Sequence, residues 1–375
     1  MKIVLAGGGT GGHVYPAVAI ANELRRNHED WVIEFVGRKE SLEGKAVPQA
    51  GYTIHHLYVT QFERDYPLWE TIKVAARLLI SMKDAFKLVK KLKPDLLIGT
   101  GGYICGPIVL AGALKKIPSL ICEQNVIVGF TIKTLSKYAN TVCLAFDEAR
   151  SSMHHPERCV LTGNPIRREF EVVNRETARK TLRLDESKRV LLSFGGSRGA
   201  KSINDSIRGL IDKFKDNKDF VIYHITGKET YDEFLEEVRS DGIDLSLYPN
   251  VNILSYADDM PTLLNACDLV ISRSGAMSIS EINYVGVAAI YVPYPLAASD
   301  HQTKNARVPE KAGAAIMIKD SELDASVLIS KVNSILFNDS ILKKMAEKAS
   351  ELGIKNSVEL ICKEVEALVE NKNNK

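Results

Sequence analysis

Short runs of Val, Ile and Leu recur along the chain and alternate with longer segments in which apolar residues have helical spacing. Within the runs, apolar residues are continuous instead of alternating with polar ones, which is typical of strands buried on both faces of a parallel sheet. Strand followed by helix, repeated many times, predicts a doubly wound α/β fold. The predicted strands are residues 3–6, 32–36, 96–99, 119–122 and 141–144, then 190–194, 220–225, 251–254, 269–272 and 289–292.

A sequence pattern that occurs twice in the chain suggests two sheets. Residues 2–12 (KIVLAGGGTGG) and 189–199 (RVLLSFGGSRG) both have the pattern of a strand, a glycine-rich turn and the start of a helix. Proline and glycine at 163–165 mark a break between the two halves. We therefore predict a Rossmann-like domain over residues 1–164 and a second over 165–354, in which the charged, helix-like residues 169–188 form a linker or a leading helix.

Length and composition agree with this division. A chain of 375 residues exceeds one ordinary core, and 45% hydrophobic with 26% charged residues is the profile of a water-soluble globular protein. A net charge of +2 gives no global attraction to nucleic acid, which we do not expect as a partner. The six cysteines lack metal-site or redox-motif spacing and are expected to be core residues in a reducing cytosol.

No targeting or spanning segment is predicted. The N-terminal residues lead directly from an apolar run into glycines, which is the pattern of a buried strand and not of a signal peptide. No stretch of about 18 apolar residues is present, so membrane contact would have to be peripheral.

Three glycine-rich loops follow predicted strands, at residues 7–12, 99–103 and 195–199. Glycines allow close backbone approach to a ligand, and the helix that follows such a loop offers N–H groups to an anion. In the third loop, Ser197 and Arg198 suit a diphosphate. Three loops spread over two domains favour a ligand held in a cleft between them, with tight strand–helix turns as the structural alternative.

The first loop also satisfies the dinucleotide fingerprint G-x-G-x-x-G, followed by a helix predicted over residues 18–26. That fingerprint requires an acidic residue at the end of the second strand, where this chain has Gly37, Arg38 and Lys39. Binding of NADP through Arg38 remains an alternative.

Several motifs together resemble a known family. GGTGGHVYPA near the N-terminus is followed in order by GTGGYICGP (99–107), CEQN (122–125), GNPIR (163–167), GGSRGA (195–200), YADDM (256–260), RSGAMSISEI (273–282) and DHQTKNA (300–306). Over about residues 1–315 the chain resembles the MurG-type transferases of glycosyltransferase family 28. These enzymes add N-acetylglucosamine (GlcNAc) from UDP-GlcNAc to lipid I, undecaprenyl-pyrophosphoryl-MurNAc-pentapeptide, and so make lipid II for peptidoglycan.

The resemblance implies a GT-B architecture, in which two Rossmann-like domains face a cleft. The N-terminal domain would take the lipid acceptor and the C-terminal domain the UDP-GlcNAc donor. A final helix over about 355–368 would rejoin the N-terminal domain. The reaction would be an inverting transfer to the muramyl C4 hydroxyl, in the service of cell-wall growth, cell shape and division.

The resemblance also implies substrate-binding residues. It places Thr10, Gly11 and Gly12 beside the donor and acceptor phosphates, and Arg167 and Ser197 on the donor diphosphate, for which the charge of Arg198 makes it a further candidate. Asn125 and Gln302 would contact the sugar. Around the nucleoside it places Ala257, Ala276, Met277, Ser278, Ile279, Ser280 and Glu281, with Glu281 on the ribose hydroxyls. The chain departs from the family at Cys122, where His is usual, and at Ala257, where a bulkier Ile is common.

Inverting transfer needs a base for the acceptor hydroxyl, stabilisation of the leaving diphosphate and exclusion of water. His13 is the candidate base because its pKa lies near working pH, and an organising role in the loop is the alternative. Glu123 is the reserve base, or a support for its own loop. The chain has no Asp-x-Asp triplet, so we expect no metal and no other cofactor.

Residues 68–93 combine apolar side chains with seven Lys and Arg residues. Such a face is attracted to an anionic membrane surface, whereas an ordinary core helix with a solvated face is the alternative. With the resemblance, this predicts a peripheral protein on the cytoplasmic side of the cell membrane. The expected partners are UDP-GlcNAc, lipid I and the anionic inner leaflet, and other cell-wall synthesis proteins are compatible with this assignment.

Three further functions stay open from the sequence. A UDP-GlcNAc 2-epimerase would share the donor and the fold but use no lipid acceptor. A related transferase would glycosylate diacylglycerol. A non-catalytic nucleotide-binding scaffold would not need His13.

Overall fold

The computed structural model describes residues 1–59, 68–196 and 198–373, with backbone only for 68–78 and for residue 373. The chain forms two compact units. The N-terminal unit comprises Met1–Arg167 with Asn356–Lys375, and the C-terminal unit comprises Arg168–Lys355. The doubly wound α/β fold with two parallel sheets that the sequence predicts is confirmed.

The N-terminal unit is built on a seven-stranded parallel sheet with the order β3-β2-β1-β4-β5-β6-β7. The strands are β1 Lys2–Gly7, β2 Val32–Gly37, β3 Thr53–His56, β4 Leu96–Gly101, β5 Ser119–Glu123, β6 Thr141–Leu144 and β7 Cys159–Leu161. The helices are α1 Gly11–Asn27, α2 Leu42–Gln49, α3 Leu68–Leu92, α4 Cys105–Leu114 and α5 Phe130–Leu135. The strand order reverses between β1 and β4, which makes the carboxyl ends of these strands the switch point where α/β proteins bind ligands.

The C-terminal unit repeats the design with six parallel strands in the order β10-β9-β8-β11-β12-β13. These are β8 Arg189–Phe194, β9 Phe220–Ile225, β10 Val251–Leu254, β11 Leu269–Ser272, β12 Ala288–Tyr291 and β13 Ala315–Met317. The chain enters this unit through α6 Glu169–Val172 and α7 Arg175–Thr181. It continues with α8 Lys201–Phe214, α9 Tyr231–Ser240, α10 Met260–Ala266, α11 Ala276–Val285, α12 His301–Ala312, α13 Ala325–Leu336 and α14 Asp339–Leu352.

The last helix, α15 Ser357–Asn373, belongs to the N-terminal unit although it is encoded after the C-terminal one. Its buried residues Ile361, Cys362 and Val365 share a core cluster with Ile20 of α1 and Leu120 of β5. Two polar contacts add to this packing. His28 Nε2 lies 2.8 Å from Glu366 Oε1, and Lys372 Nζ lies 2.6 Å from Asp95 Oδ1. The helix therefore covers one face of the first sheet.

Two details of the sequence-based element assignment are wrong. The first helix begins at Gly11 and not at residue 18, because Thr10 is its N-cap and the glycines belong to its first turn. Strands β3, β7 and β13 were not predicted, and each lies at the edge of its sheet. An edge strand pairs on one side only and is less completely covered, so its apolar signal is weaker.

The cysteines are buried and free, as expected from their apolar surroundings. Across the residues that the structure describes, we find no helix with both the length and the apolarity that crossing a bilayer requires.

Candidate active site

The first glycine loop joins β1 to α1 and packs against the loop that follows β4. Gly8 N donates to Gly101 O over 3.4 Å. A Cβ on Gly102, whose φ is +78°, would lie 2.1 Å from the Gly8 carbonyl oxygen. Only glycine allows this approach of two backbones. The close packing fixes the Gly8 carbonyl at the switch point of the sheet.

His13 stands in the first turn of α1 and turns back onto this loop. Its Nδ1 lies 3.2 Å from Gly8 O and 3.3 Å from Thr10 Oγ1. Because a carbonyl oxygen can only accept, the Gly8 contact assigns the proton to Nδ1 and leaves the lone pair on Nε2. Nε2 lies beside the Gly101 backbone, 3.0 Å from where a Cβ would be. This tautomer is the one that a base acting through Nε2 requires.

Hydrogen bonds from three side chains connect the loops at the carboxyl ends of the strands of the first sheet. Thr100 Oγ1 donates to His13 O over 2.7 Å, and Gln124 Nε2 donates to Thr100 O over 2.8 Å. Asn164 Nδ2 then donates to Gln124 O over 3.3 Å. All three side chains that donate these bonds are buried. Three motifs that are far apart in sequence thus meet at the carboxyl ends of the strands of the first sheet, namely 99–107, 122–125 and 163–167.

Glu123 lies at the end of β5 and is buried. Its carboxylate accepts from Asn125 N and Gly129 N, both over 2.9 Å, and from Asn125 Nδ2 over 3.3 Å. Burial raises the pKa of Glu123 against the opposing effect of these hydrogen bonds. Both carboxylate oxygens hold the 125–129 loop, and Asn125 is half-buried within it. This geometry favours the supporting role of Glu123 over that of a base.

Glu43, at the start of α2, belongs to this site although sequence reasoning did not select it. Its side chain is 1% exposed and its carboxylate accepts from Gly9 N over 3.1 Å and from Arg38 N over 3.2 Å. Burial disfavours ionisation of Glu43, but hydrogen bonds from Gly9, Ser41 and Arg38 outweigh it and lower the pKa. Arg38 Nε lies 3.7 Å from the same carboxylate. The guanidinium proposed for NADP is therefore engaged within the protein.

In the C-terminal unit, the corresponding loop joins β8 to α8. Gly199 has φ +78° and its Cβ would lie 2.0 Å from Thr226 O, so this loop also packs tightly against the loop after β9. Arg198 projects outward with its side chain 84% exposed, 3.8 Å from Glu229. Ser197 lies outside the described residues. The exposed guanidinium is available to an anionic ligand.

The nucleoside segment predicted from the sequence forms the start of α11. Met277, Ser278, Ser280 and Glu281 are half-buried, as the wall of a binding site would be. Ala276 and Ile279 are buried. The Ile279 side chain is fully buried and therefore belongs to the core. Its backbone N–H donates to Gly275 O over 3.0 Å, in the first turn of the helix.

Gln302 in the first turn of α12 is built into the end of the sheet. Its Oε1 accepts from Tyr294 N over 2.9 Å, and its carbonyl accepts from Ser274 Oγ over 2.9 Å. The preceding residues Ser299 and Asp300 both have φ near +54°, in the left-handed region. Such strain in non-glycine residues is common at ligand sites. Because Oε1 accepts from Tyr294 N, the orientation of the Gln302 side-chain amide is set, and its Nε2 group is the end that can donate to a ligand.

Arg273 has a structural role in the same region. Its guanidinium donates to the carbonyls of Val292 and Pro293, both over 3.1 Å, and forms an ion pair with Asp320. Ser202 Oγ accepts from the same guanidinium over 3.1 Å. These bonds join the loop before α11 to the ends of β12 and β13.

The remaining predicted site residues lie on loops. Ala257 is half-buried in the segment before α10, where Asp259 caps the helix by accepting from Thr262 N over 3.1 Å. Arg167 is half-buried and is the last residue of the N-terminal unit. Within the described part of the chain, no group of three or more His, Cys, Asp or Glu side chains is arranged to hold a metal ion.

Two doubly wound sheets, each with glycine-bent loops at its switch point, are the architecture of the two-Rossmann class of nucleotide-binding α/β proteins. Family models identify the two halves separately. The glycosyltransferase family 28 N-terminal domain matches residues 3–144, and the family 28 C-terminal domain matches residues 190–363. The chain belongs to glycosyltransferase family 28, which confirms the resemblance seen in its motifs.

Individual relatives agree with this assignment. The chain is 40% identical to a UDP-N-acetylglucosamine--N-acetylmuramyl-(pentapeptide) pyrophosphoryl-undecaprenol N-acetylglucosamine transferase of Thermoanaerobacter sp. (strain X514), covering 98% of this chain and 100% of the relative. It is 37% identical to the transferase of the same name from Acetivibrio thermocellus, with 99% of each chain covered.

Solved structures show the same fold. The crystal structure of Acinetobacter baumannii MurG matches with a TM-score of 0.77 and 27% identity over 100% of this chain and 99% of that one. A UDP-GlcNAc 2-epimerase from Neisseria meningitidis, bound to UDP-GlcNAc, matches with a TM-score of 0.66 and 14% identity over 97% and 99%. At that identity, the epimerase shows a shared fold alone.

Proposed function

We propose that this enzyme transfers GlcNAc from UDP-GlcNAc to the muramyl C4 hydroxyl of lipid I and so forms lipid II for peptidoglycan. The proposal is supported by 40% identity, over 98% of this chain, to an N-acetylglucosamine transferase named for UDP-GlcNAc and N-acetylmuramyl-(pentapeptide) pyrophosphoryl-undecaprenol. The epimerase alternative has a likeness of fold only, at 14% identity.

We assign the acceptor to the loops of the N-terminal unit and the base to His13. Nε2 of His13 would take the proton of the attacking hydroxyl while Nδ1 remains bonded to Gly8 O. Gly11 and Gly12, in the first turn of α1, would direct backbone N–H groups and the positive end of the helix toward phosphate. Asn125, placed by Glu123, would contact the sugar.

We assign the donor to the loops of the C-terminal unit. The nucleoside would lie along the start of α11, with Glu281 on the ribose hydroxyls and Ala257 beside the uracil. Arg198 would help to neutralise the diphosphate as it leaves. Nε2 of Gln302 would donate to a GlcNAc hydroxyl, because Oε1 is already bonded to Tyr294.

The direct test incubates radiolabelled UDP-GlcNAc with a soluble lipid I analogue and scores formation of a disaccharide product. We expect transfer by the natural enzyme, a loss of at least about 100-fold in kcat for His13→Ala, and a raised KM for UDP-GlcNAc in Gln302→Ala. Incubation with UDP-GlcNAc alone is the control for epimerase activity. Conversion of the donor to UDP-ManNAc without transfer would refute the proposal.

We also propose that the N-terminal unit docks on the anionic cytoplasmic leaflet of the membrane that carries lipid I. Leu79 and Ile80 of α3 are 72% and 58% exposed. Tyr58 is 73% exposed, and its carbonyl accepts from Ser81 Oγ over 2.9 Å, which holds it against the same helix. These three apolar side chains are followed by exposed lysines at 83, 87, 90 and 91. Apolar groups beside cations are what an anionic bilayer surface attracts.

Vesicles of anionic phospholipid test this docking. The charge reversals Lys83→Glu, Lys87→Glu and Lys90→Glu together should weaken sedimentation with these vesicles and leave turnover of the soluble acceptor analogue unchanged. Each basic side chain near the surface contributes about 1 kcal/mol, so the triple variant should lose about 100-fold or more in affinity. Equal binding by both proteins would exclude this face as the docking surface.

A further inference from the structure

One peptide group of the first glycine loop is hydrogen-bonded at both ends to ionisable side chains. Its carbonyl, from Gly8, faces His13 Nδ1 over 3.2 Å. Its N–H, from Gly9, donates to Glu43 Oε2 over 3.1 Å. Glu43, the Gly8–Gly9 peptide and His13 are therefore joined in a line, in the order carboxylate, amide, imidazole.

We propose that Glu43 is a positioning residue for the transfer reaction, which acts on His13 through the Gly8–Gly9 peptide. The inference rests on the proposed role of His13 as the base. A carboxylate that accepts the N–H polarises the amide and increases the negative charge on its carbonyl oxygen. That oxygen then holds the Nδ1 proton more strongly, fixes the tautomer and stabilises the imidazolium that forms when Nε2 takes a proton.

The fit of Glu43 to the loop supports a specific role beyond general packing. A Cβ on Gly8 would lie 2.6 Å from Glu43 Oε1, and one on Gly37 would lie 2.6 Å from Glu43 Cγ. Two glycines thus leave room for this one side chain. The Gly9 N–H, which an anion-binding loop would offer to phosphate, is used by Glu43 instead. The proposal therefore places the acceptor phosphates toward the first turn of α1 and away from Gly9.

The charge balance around Glu43 keeps it ionised. Arg38 Nε lies 3.7 Å from Oε1, and the Arg38 and Gly9 amides donate to the two carboxylate oxygens. Together with the Ser41 hydroxyl, these groups lower the pKa of Glu43 despite burial. Glu43 thus brings negative charge to His13 through the peptide.

Glu43→Gln tests the proposal because the amide oxygen can still accept from Gly9 while the charge is lost. We expect the pKa of His13 in the free protein to fall by about half a unit, a factor of about three. The plateau of kcat should fall about threefold or more with its acid limb at lower pH, while the KM for UDP-GlcNAc stays the same. The pKa and tautomer are read by NMR of isotope-labelled histidine, with one of the eight histidine signals assigned by comparison with His13→Gln.

Two further variants separate this role from stability. Gly8→Ala should displace the Glu43 carboxylate without removing its charge, and it should lower the pKa of His13 in the same direction. Asp95→Asn is the matched control, because Asp95 also accepts a backbone N–H, from Lys2 over 2.9 Å, but at the amino ends of the strands, opposite to the glycine loops. It should leave the His13 signal and kcat unchanged.

An unaltered pKa and tautomer of His13 in Glu43→Gln and Gly8→Ala would overturn the proposal, whatever the activity of these variants. Full activity of His13→Ala would instead refute the role of His13 as base. The two failures are distinguishable, because the NMR titration needs neither substrate.

Discussion

Gly102→Ala probes the contact that sets the first loop. At φ +78°, a residue other than glycine costs about 1–2 kcal/mol. The added Cβ would also lie 2.1 Å from Gly8 O, a backbone atom that cannot rotate away. Overpacking of this kind costs about 1–3 kcal/mol. We therefore expect a total loss of about 2–5 kcal/mol in the free energy of unfolding of the N-terminal unit.

Gly51→Ala measures the first contribution, the cost of the positive φ, by itself. Gly51 has φ +80° in the same unit, but its Cβ would meet only Arg25 Nη1, at 3.7 Å. This control should lose about 1–2 kcal/mol, from backbone strain alone. The difference between the two variants measures the close approach of Gly102 to Gly8.

Tryptophan fluorescence reads the unit directly, because the protein's two tryptophans, Trp31 and Trp69, both lie in the N-terminal unit. For a domain of this size, about 1 kcal/mol corresponds to about 2–4 °C in Tm. Gly102→Ala should melt about 2–12 °C below Gly51→Ala and should lose kcat as well, because Gly8 O holds His13. Equal melting temperatures for the two variants would show that the loops can separate at no cost, and would refute this reasoning.

Two further predictions concern charged groups away from the reaction. Arg179 is fully buried and donates to four carbonyls and to Asp268, so Arg179→Met should destabilise the C-terminal unit by about 3–5 kcal/mol. Calorimetry should show that loss while tryptophan fluorescence stays unchanged, and a stable variant would contradict the assignment. Hydrogen bonds from Lys372 and from the Lys2 N–H lower the pKa of Asp95 below its ordinary 3.8. Its stabilisation is therefore present above pH 3.8 and is lost as the pH falls through the lowered value, so the gap in Tm between the natural protein and Asp95→Asn should close in acid. A gap that does not narrow at all as the pH falls below 3.8 would contradict this.

The sequence predicts the interior of both sheets because parallel strands buried on both faces are continuous apolar runs. Residues 141–144, 220–225, 251–254 and 269–272 coincide with the observed strands. The edge strand β3 has the sequence TIHH and is only partly buried, so local hydrophobicity does not reveal it. Residues 53–56 form a strand because they pair with β2, and the sequence of the segment itself does not indicate this pairing.

The candidate site divides in the same way. The glycine loops and His13 have local signals, namely glycines after a strand and a titratable group at a helix start. The contacts that organise them join distant residues. Gly9 and Glu43 are 34 positions apart, and His13 and Thr100 are 87 apart. Within the quoted motifs, sequence reasoning selected Asn125, whereas the buried bonds that link the loops come from its neighbour Gln124.

The position of α15 has a consequence for synthesis of the protein. The apolar face that Ile20 and Leu120 contribute to is covered by side chains of α15, a short stretch of codons that follows those for the whole C-terminal unit. During translation, the first domain must therefore wait, with that face open, until the ribosome has finished the second. A premature stop codon in this short stretch would leave a complete C-terminal domain attached to an N-terminal domain with an uncovered core, which is a substrate for proteases.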